Sequence, residues 1–110
     1  MDLSIAVVGY YKWLVSEKKE YVMSKQILRS GTSIGANIHE AYYAVSKPDF
    51  IAKMQIALKE CSETEYWITI LEATGYYDKQ FDTIKTKNNS IKRMLIATLN
   101  TSKKSGAKNE

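Results

Sequence analysis

Cysteine, histidine and proline each occur once in this chain, and glycine only five times. Each scarcity excludes something. A lone Cys61 cannot form an intrachain disulfide, which suits a reducing compartment; it sits in an apolar run with no nearby histidine to activate it, so it reads as a buried core thiol. A lone His39 removes the paired Glu-x-x-His motifs of a di-metal helical bundle. Its neighbour Glu40 would point about 100° away from it on a helix. No apolar stretch approaches the roughly 20 residues that span a bilayer, and Asp2 stands where a secretory leader carries basic residues. A cytoplasmic protein without membrane contact is expected. With so few helix breakers and no turn signals at short spacing, the chain reads as helical.

What is present fits that reading. Apolar residues make up 45% and charged residues 25% of the 110 positions, a globular composition for one domain. From Phe50 the positions Phe50, Met54, Ala57, Cys61, Thr64, Ile68 and Leu71 alternate at four and three, the spacing of one helix face. Pro48 and Asp49 suit the first turn and Gly75 the stop, so the third helix is expected over 48–74. Ile27, Gly31, Ile34, Ile38, Ala41 and Val45 predict a second helix over 22–46. Its middle, Ser30 to Ala36, is almost wholly small residues, which are poor helix formers and imply close approach of a neighbouring helix or chain.

The first helix is expected over Leu3–Ser16, with Leu3, Val7, Tyr10 and Leu14 in stripe and Val8, Tyr11 and Val15 beside them. That is more apolar surface than an outer helix of a monomer needs, so part of it is expected to meet another subunit. The fourth helix is expected over 79–102, with Phe81, Ile84, Asn88, Ile91, Leu95 and Thr98 or Leu99 in stripe. The expectation is an all-α, antiparallel up-down-up-down four-helix bundle over 1–102, followed by a basic, frayed tail over 103–110.

Charge is uneven along the chain. Residues 1–47 carry six Lys/Arg against four Asp/Glu, residues 48–78 two against six, and residues 79–110 eight against two. The basic fourth helix and tail make Lys85, Lys92, Arg93, Lys103 and Lys104, with Lys108, candidate phosphate contacts for RNA or another nucleic acid. The acidic third helix offers a second use: Glu60, Glu65 and Glu72 as the face of a protein adaptor. Opposite signs on helices three and four could also steer like subunits together. No catalytic set emerges, since the only cysteine and only histidine fall on different helices without an orienting third group. Gly31 and Gly35 lack the Gly-Lys-Ser/Thr of a phosphate loop. No cofactor is expected. Glu40 and Glu63 are better read as structural, accepting hydrogen bonds from Ser30, Thr32, Ser33 or Asn37 or pairing with Arg29.

The run from Ser33 to Ala41, followed by Ser46-Lys47, Asp49-Phe50-Ile51, Lys53-Met54, Ile56 to Glu60 and Glu63 to Trp67, resembles the bacterial four-helix bundle proteins found as reading frames within intervening sequences of large-subunit ribosomal RNA genes. The resemblance covers about residues 22–77. It implies four antiparallel helices assembled as a ring-shaped homopentamer, and a distant relation to the accessory protein of diversity-generating retroelements, which presents a basic surface to nucleic acid. Asn37, Glu40, Glu63 and Glu65 are the positions it marks, as structural polar residues. Ala41 stands where the family often has glycine, and a basic fourth helix is not among its motifs.

Overall fold

The computed structural model describes residues 2–108, with side chains through Lys103. Four helices follow one another: α1 (Asp2–Ser16), α2 (Met23–Tyr42), α3 (Lys47–Ala73) and α4 (Lys79–Lys108). They form an all-α four-helix bundle in which α1 and α3 each pack on both α2 and α4. Pairing order fixes direction. Glu40 and Glu63 of α2 and α3 pair with Lys53 and Arg29, Glu65 and Glu72 of α3 with Lys92 and Lys85 of α4, and Asp2 of α1 with Lys87 of α4. Gly9 of α1 lies against Gln80, so these neighbours run antiparallel.

The stripes define the core. Leu3, Val7, Tyr10 and Leu14, then Ile27, Ile34, Ile38 and Ala41, then Met54, Ala57, Cys61, Ile68 and Leu71, then Phe81, Ile84, Leu95 and Leu99 are all buried. Burial of this kind, at roughly 25 cal/mol per Å² of apolar surface, is the main favourable contribution to folding. The small-residue stretch of α2 works by contact distance: a Cβ at Gly31 would stand 2.8 Å from Cγ2 of Val7. Only glycine lets α1 and α2 approach so closely there.

Turns are set by local chemistry. Lys19 adopts a left-handed φ of 54°, and the Glu20 carboxylate then accepts the backbone N–H of Val22 and Met23 at 2.6 Å each, satisfying free donors at the start of α2. Ser46 caps α3 by accepting the Asp49 N–H at 3.2 Å, with Pro48 in the first turn. Gly75, at φ 88°, closes α3.

Two boundaries differ from expectation. The second helix ends at Tyr42 rather than near 46, because Tyr43 and Ala44 turn back onto the carbonyls of Glu40 and Ala41 and Ser46 is engaged as the next cap. Val45, placed in the stripe by spacing, is consequently 95% exposed. The fourth helix continues to Lys108, past the expected end near 102. No strong breaker precedes Gly106, and lysines complement the negative end of the helix dipole.

Candidate nucleic-acid interface

The candidate cations separate into two groups. Lys85 Nζ donates to Glu72 at 3.2 and 3.3 Å, and Lys92 Nζ to Glu65 at 3.3 and 3.4 Å. Lys87 pairs with Asp2 at 3.6 Å. The opposite signs of α3 and α4 therefore meet along a seam within one chain. Arg93 and Lys103, by contrast, are exposed, and among the described residues neither has a carboxylate partner. Lys104 and Lys108 lie on α4, but their side chains fall outside those described.

The acidic face of α3 is likewise occupied. Arg29 Nη1 donates to Glu60 at 3.1 Å, and its Nη2 to Glu63. Glu60 is 7% exposed, so this pairing compensates a buried charge. With Glu65 and Glu72 on lysines of α4, none of the three carboxylates proposed for an acidic adaptor face stands unpaired. Glu60 is the residue that spacing places wrongly: it flanks Cys61 in the buried stripe, and the lone arginine of α2, immediately before the small-residue stretch, is the signal for its partner.

The other polar positions make contacts within and between helices. Asn37 Nδ2 donates to the Ser33 carbonyl at 2.9 Å within α2, and Glu40 meets Lys53 at 3.9 Å on the surface. Ser30 and Thr64, both fully buried, share a hydroxyl hydrogen bond of 2.9 Å across α2 and α3. Asn88 Nδ2 donates to the Cys61 carbonyl at 3.2 Å, fixing the register of α4 on α3. Tyr10 donates to the Tyr76 carbonyl at 2.7 Å. None of these is arranged as a nucleophile and base, and among the described residues no three His, Cys, Asp or Glu gather as metal ligands. No helix among them is long and apolar enough to cross a membrane.

A family model described as the 23S rRNA-intervening sequence protein matches residues 1–97. The chain belongs to the 23S rRNA-intervening sequence protein family. A crystal structure of a protein with unknown function from the S23 ribosomal protein family, from Bacteroides thetaiotaomicron VPI-5482, is similar to it at 52% identity and a TM-score of 0.85, covering 89% of this chain and 92% of that one. No curated protein matches the chain. The family match ends at residue 97, so Lys85, Lys92 and Arg93 fall inside the matched residues, whereas Lys103 and Lys104 extend α4 beyond them.

The length of α1 divides this family member into two parts. Leu3 sits with Ser90 and Ile91 around a surface hollow, so α1 flanks α4 only up to about that level. Beyond it lie three helices: the end of α2, the start of α3 and the last part of α4. Continuing the Asn88-to-Cys61 register places α4 from Arg93 onward beside the N-terminal half of α3. Residues 33–59 and 93–108, which build this three-helix part, contain seven Lys/Arg against two Asp/Glu. Residues 2–32 and 60–92, the four-helix part, contain nine against nine. The excess positive charge is confined to one end.

Proposed function

We propose that this 23S rRNA-intervening sequence protein is a non-enzymatic, homo-oligomeric module of the cytoplasm that binds RNA through the three-helix end of its bundle. The observation that carries the reading is the charge partition. Seven cations against two carboxylates stand at that end, including Arg93 and Lys103, which have no carboxylate partner among the described residues, while the charges of the four-helix part balance. A concentrated basic end attracts the phosphate backbone and releases counterions on contact. Self-association is supported by the outer side of α1, where Ile5 is 69% exposed and Val8, Tyr11 and Val15 are only half-buried; the ring-shaped pentamer implied by resemblance is the expected stoichiometry. Repeating the basic end around a ring would multiply weak contacts on one RNA.

Electrophoretic mobility with structured and unpaired RNA across a salt series tests the reading. Neutralising about four phosphates on single strands gives a log–log salt slope near −3. A shift that weakens with that slope, and is abolished when Arg93 and Lys103 are both replaced by glutamate, supports it. No shift at low salt, or one indifferent to salt, refutes it. Light scattering reads the oligomer, and a monomer at all concentrations would remove that part of the proposal.

A further inference from the structure

The tip of the basic end carries aromatic rings that the fold does not use. Where α2 closes onto the Glu40 and Ala41 carbonyls, Tyr42 and Tyr43 are left 76% and 75% exposed. Neither hydroxyl makes a hydrogen bond among the described residues, and Tyr43 is supported by the ring of His39 at a centroid distance of 5.2 Å. Val45 beside them is 95% exposed and Lys47 exposed. Tyr10 is fully buried and Tyr77 is tied to Asp82 through a 2.6 Å hydrogen bond, whereas Tyr21 and Tyr66, 52% and 58% exposed, stand on the charge-balanced four-helix part.

Two adjacent exposed rings at the end of a helix form the kind of patch that marks an interaction surface. The surroundings say what kind of surface fits. The antiparallel register that brings α4 beyond Arg93 alongside the start of α3 sends its C-terminal lysines toward this same tip. The rings therefore stand at the head of the region that holds the chain's whole excess of positive charge. Cations and exposed aromatic faces at one end of a fold are the combination by which proteins hold unpaired nucleic acid: cations follow the phosphates and rings stack on bases. Duplex bases are already stacked on each other and offer no such face.

We infer that Tyr42 and Tyr43 form a stacking platform for unpaired RNA bases, with Lys47, Arg93 and Lys103 guiding the backbone to it. This rests on the RNA reading above and adds to it the single-stranded substrate class and the turn between α2 and α3.

Fluorescence anisotropy on the full chain tests it, using a labelled oligouridylate of about 12 nucleotides, within the site sizes usual for such grooves, the matching oligodeoxythymidylate, and an RNA duplex of equal length. Tyr42→Ala and Tyr43→Ala should each weaken oligouridylate binding about tenfold, Tyr42→Phe and Tyr43→Phe by less than about twofold, since the π face is kept. Because both side chains are exposed, the alanine variants should keep their helical signal and Tm, and Tyr66→Ala, an exposed ring on the four-helix part, should bind as the parent does. Oligodeoxythymidylate binding equal to or weaker than oligouridylate supports stacking by RNA bases. Binding confined to the DNA strand overturns the assignment. If Arg93→Glu with Lys103→Glu weakens binding but the tyrosine variants do not, the platform is refuted and the charge reading stands. Duplex binding as tight as single-strand binding also refutes the platform. If the alanine variants instead change the molar mass while leaving RNA affinity intact, the rings belong to a subunit contact and the inference fails. If the parent binds none of the three, both readings fall together.

Discussion

The four-helix part and the three-helix part of the bundle share α2, α3 and α4 but divide the work differently. In the four-helix part, Tyr10 and Phe81 meet edge to face at a centroid distance of 5.8 Å, and buried polar groups pair across helices as Ser30 with Thr64 and from α1 to the loop after α3 as Tyr10 with the Tyr76 carbonyl. Charges there balance, and many are joined in ion pairs. The three-helix part rests on Ile38, Ala41, Met54, Ala57, Leu95 and Leu99, with no fourth helix to cover it, and carries the net charge. The proposed RNA binding thus falls at the end opposite the four-helix core, as expected when ligand-facing segments are drawn from the less stable regions of a fold.

The comparison is most exposed to failure in the core. Tyr10→Ala should cost about 3–5 kcal/mol, the range for truncating a buried aromatic, while Leu99→Ala at the open end should fall near the low limit of about 2 kcal/mol for a leucine, where the site can collapse. Urea unfolding of the two variants measures the difference. Equal losses would mean that the three-helix end is as tightly packed as the other, and the proposed division of labour would not hold.

The next effect in size is alkaline. Burial pushes the Cys61 thiol from its ordinary 9.0 up to about 12, with Lys92 opposing it in part. Burial likewise raises the Tyr10 hydroxyl above its ordinary 10.0, helped by Asp78, Glu20 and Tyr76. In both cases the folded chain keeps a proton that the unfolded chain gives up earlier. Their contribution is therefore fully present below about pH 9 and is lost as pH rises toward about 12. Cys61→Ala should move the onset of that loss about one pH unit higher, to where Tyr10 alone governs it. An unchanged onset in a pH series of denaturant midpoints would show that Cys61 contributes nothing to it. Arg29→Ala comes after this: it leaves the nearly buried Glu60 unpaired and should cost about 1–3 kcal/mol, read by the same midpoints.

How much of this is legible in the sequence depends on whether a feature is local. The α3 stripe, the Gly75 stop and the Gly31 contact are readable because period, cap and residue size act within a few residues. The end of α2 is not, because spacing alone keeps Val45 in stripe while the Ser46 cap of the following helix takes precedence. The charge partition is invisible as well: cutting the chain into thirds yields an acidic and a basic helix, and only the packing register shows that their charges cancel along one stretch and not along the other. Glu60 escapes for the same reason, since Arg29 is 31 residues away. Of the candidate cations, the sequence supplies the set but not the division between Lys85 and Lys92 on one side and Arg93 and Lys103 on the other.

That division gives the smallest and sharpest test. Lys85 and Lys92 make ion pairs at the surface, with side chains 48% and 30% exposed, and such pairs contribute only about 0.2–1 kcal/mol each. Lys85→Ala and Lys92→Ala should therefore shift the denaturation midpoint slightly, more at low salt than at high, and leave the slope of RNA affinity against salt where it was. Arg93→Ala and Lys103→Ala should do the reverse, leaving stability unchanged and reducing that slope by about 0.7 for each phosphate no longer neutralised. A lysine already engaged by a glutamate must give up one anion to meet another, so its exchange releases little. If removing Lys92 lowers the salt slope as much as removing Arg93, the ion pairs along α3 and α4 open to admit the nucleic acid, and the interface extends down the seam into the four-helix part.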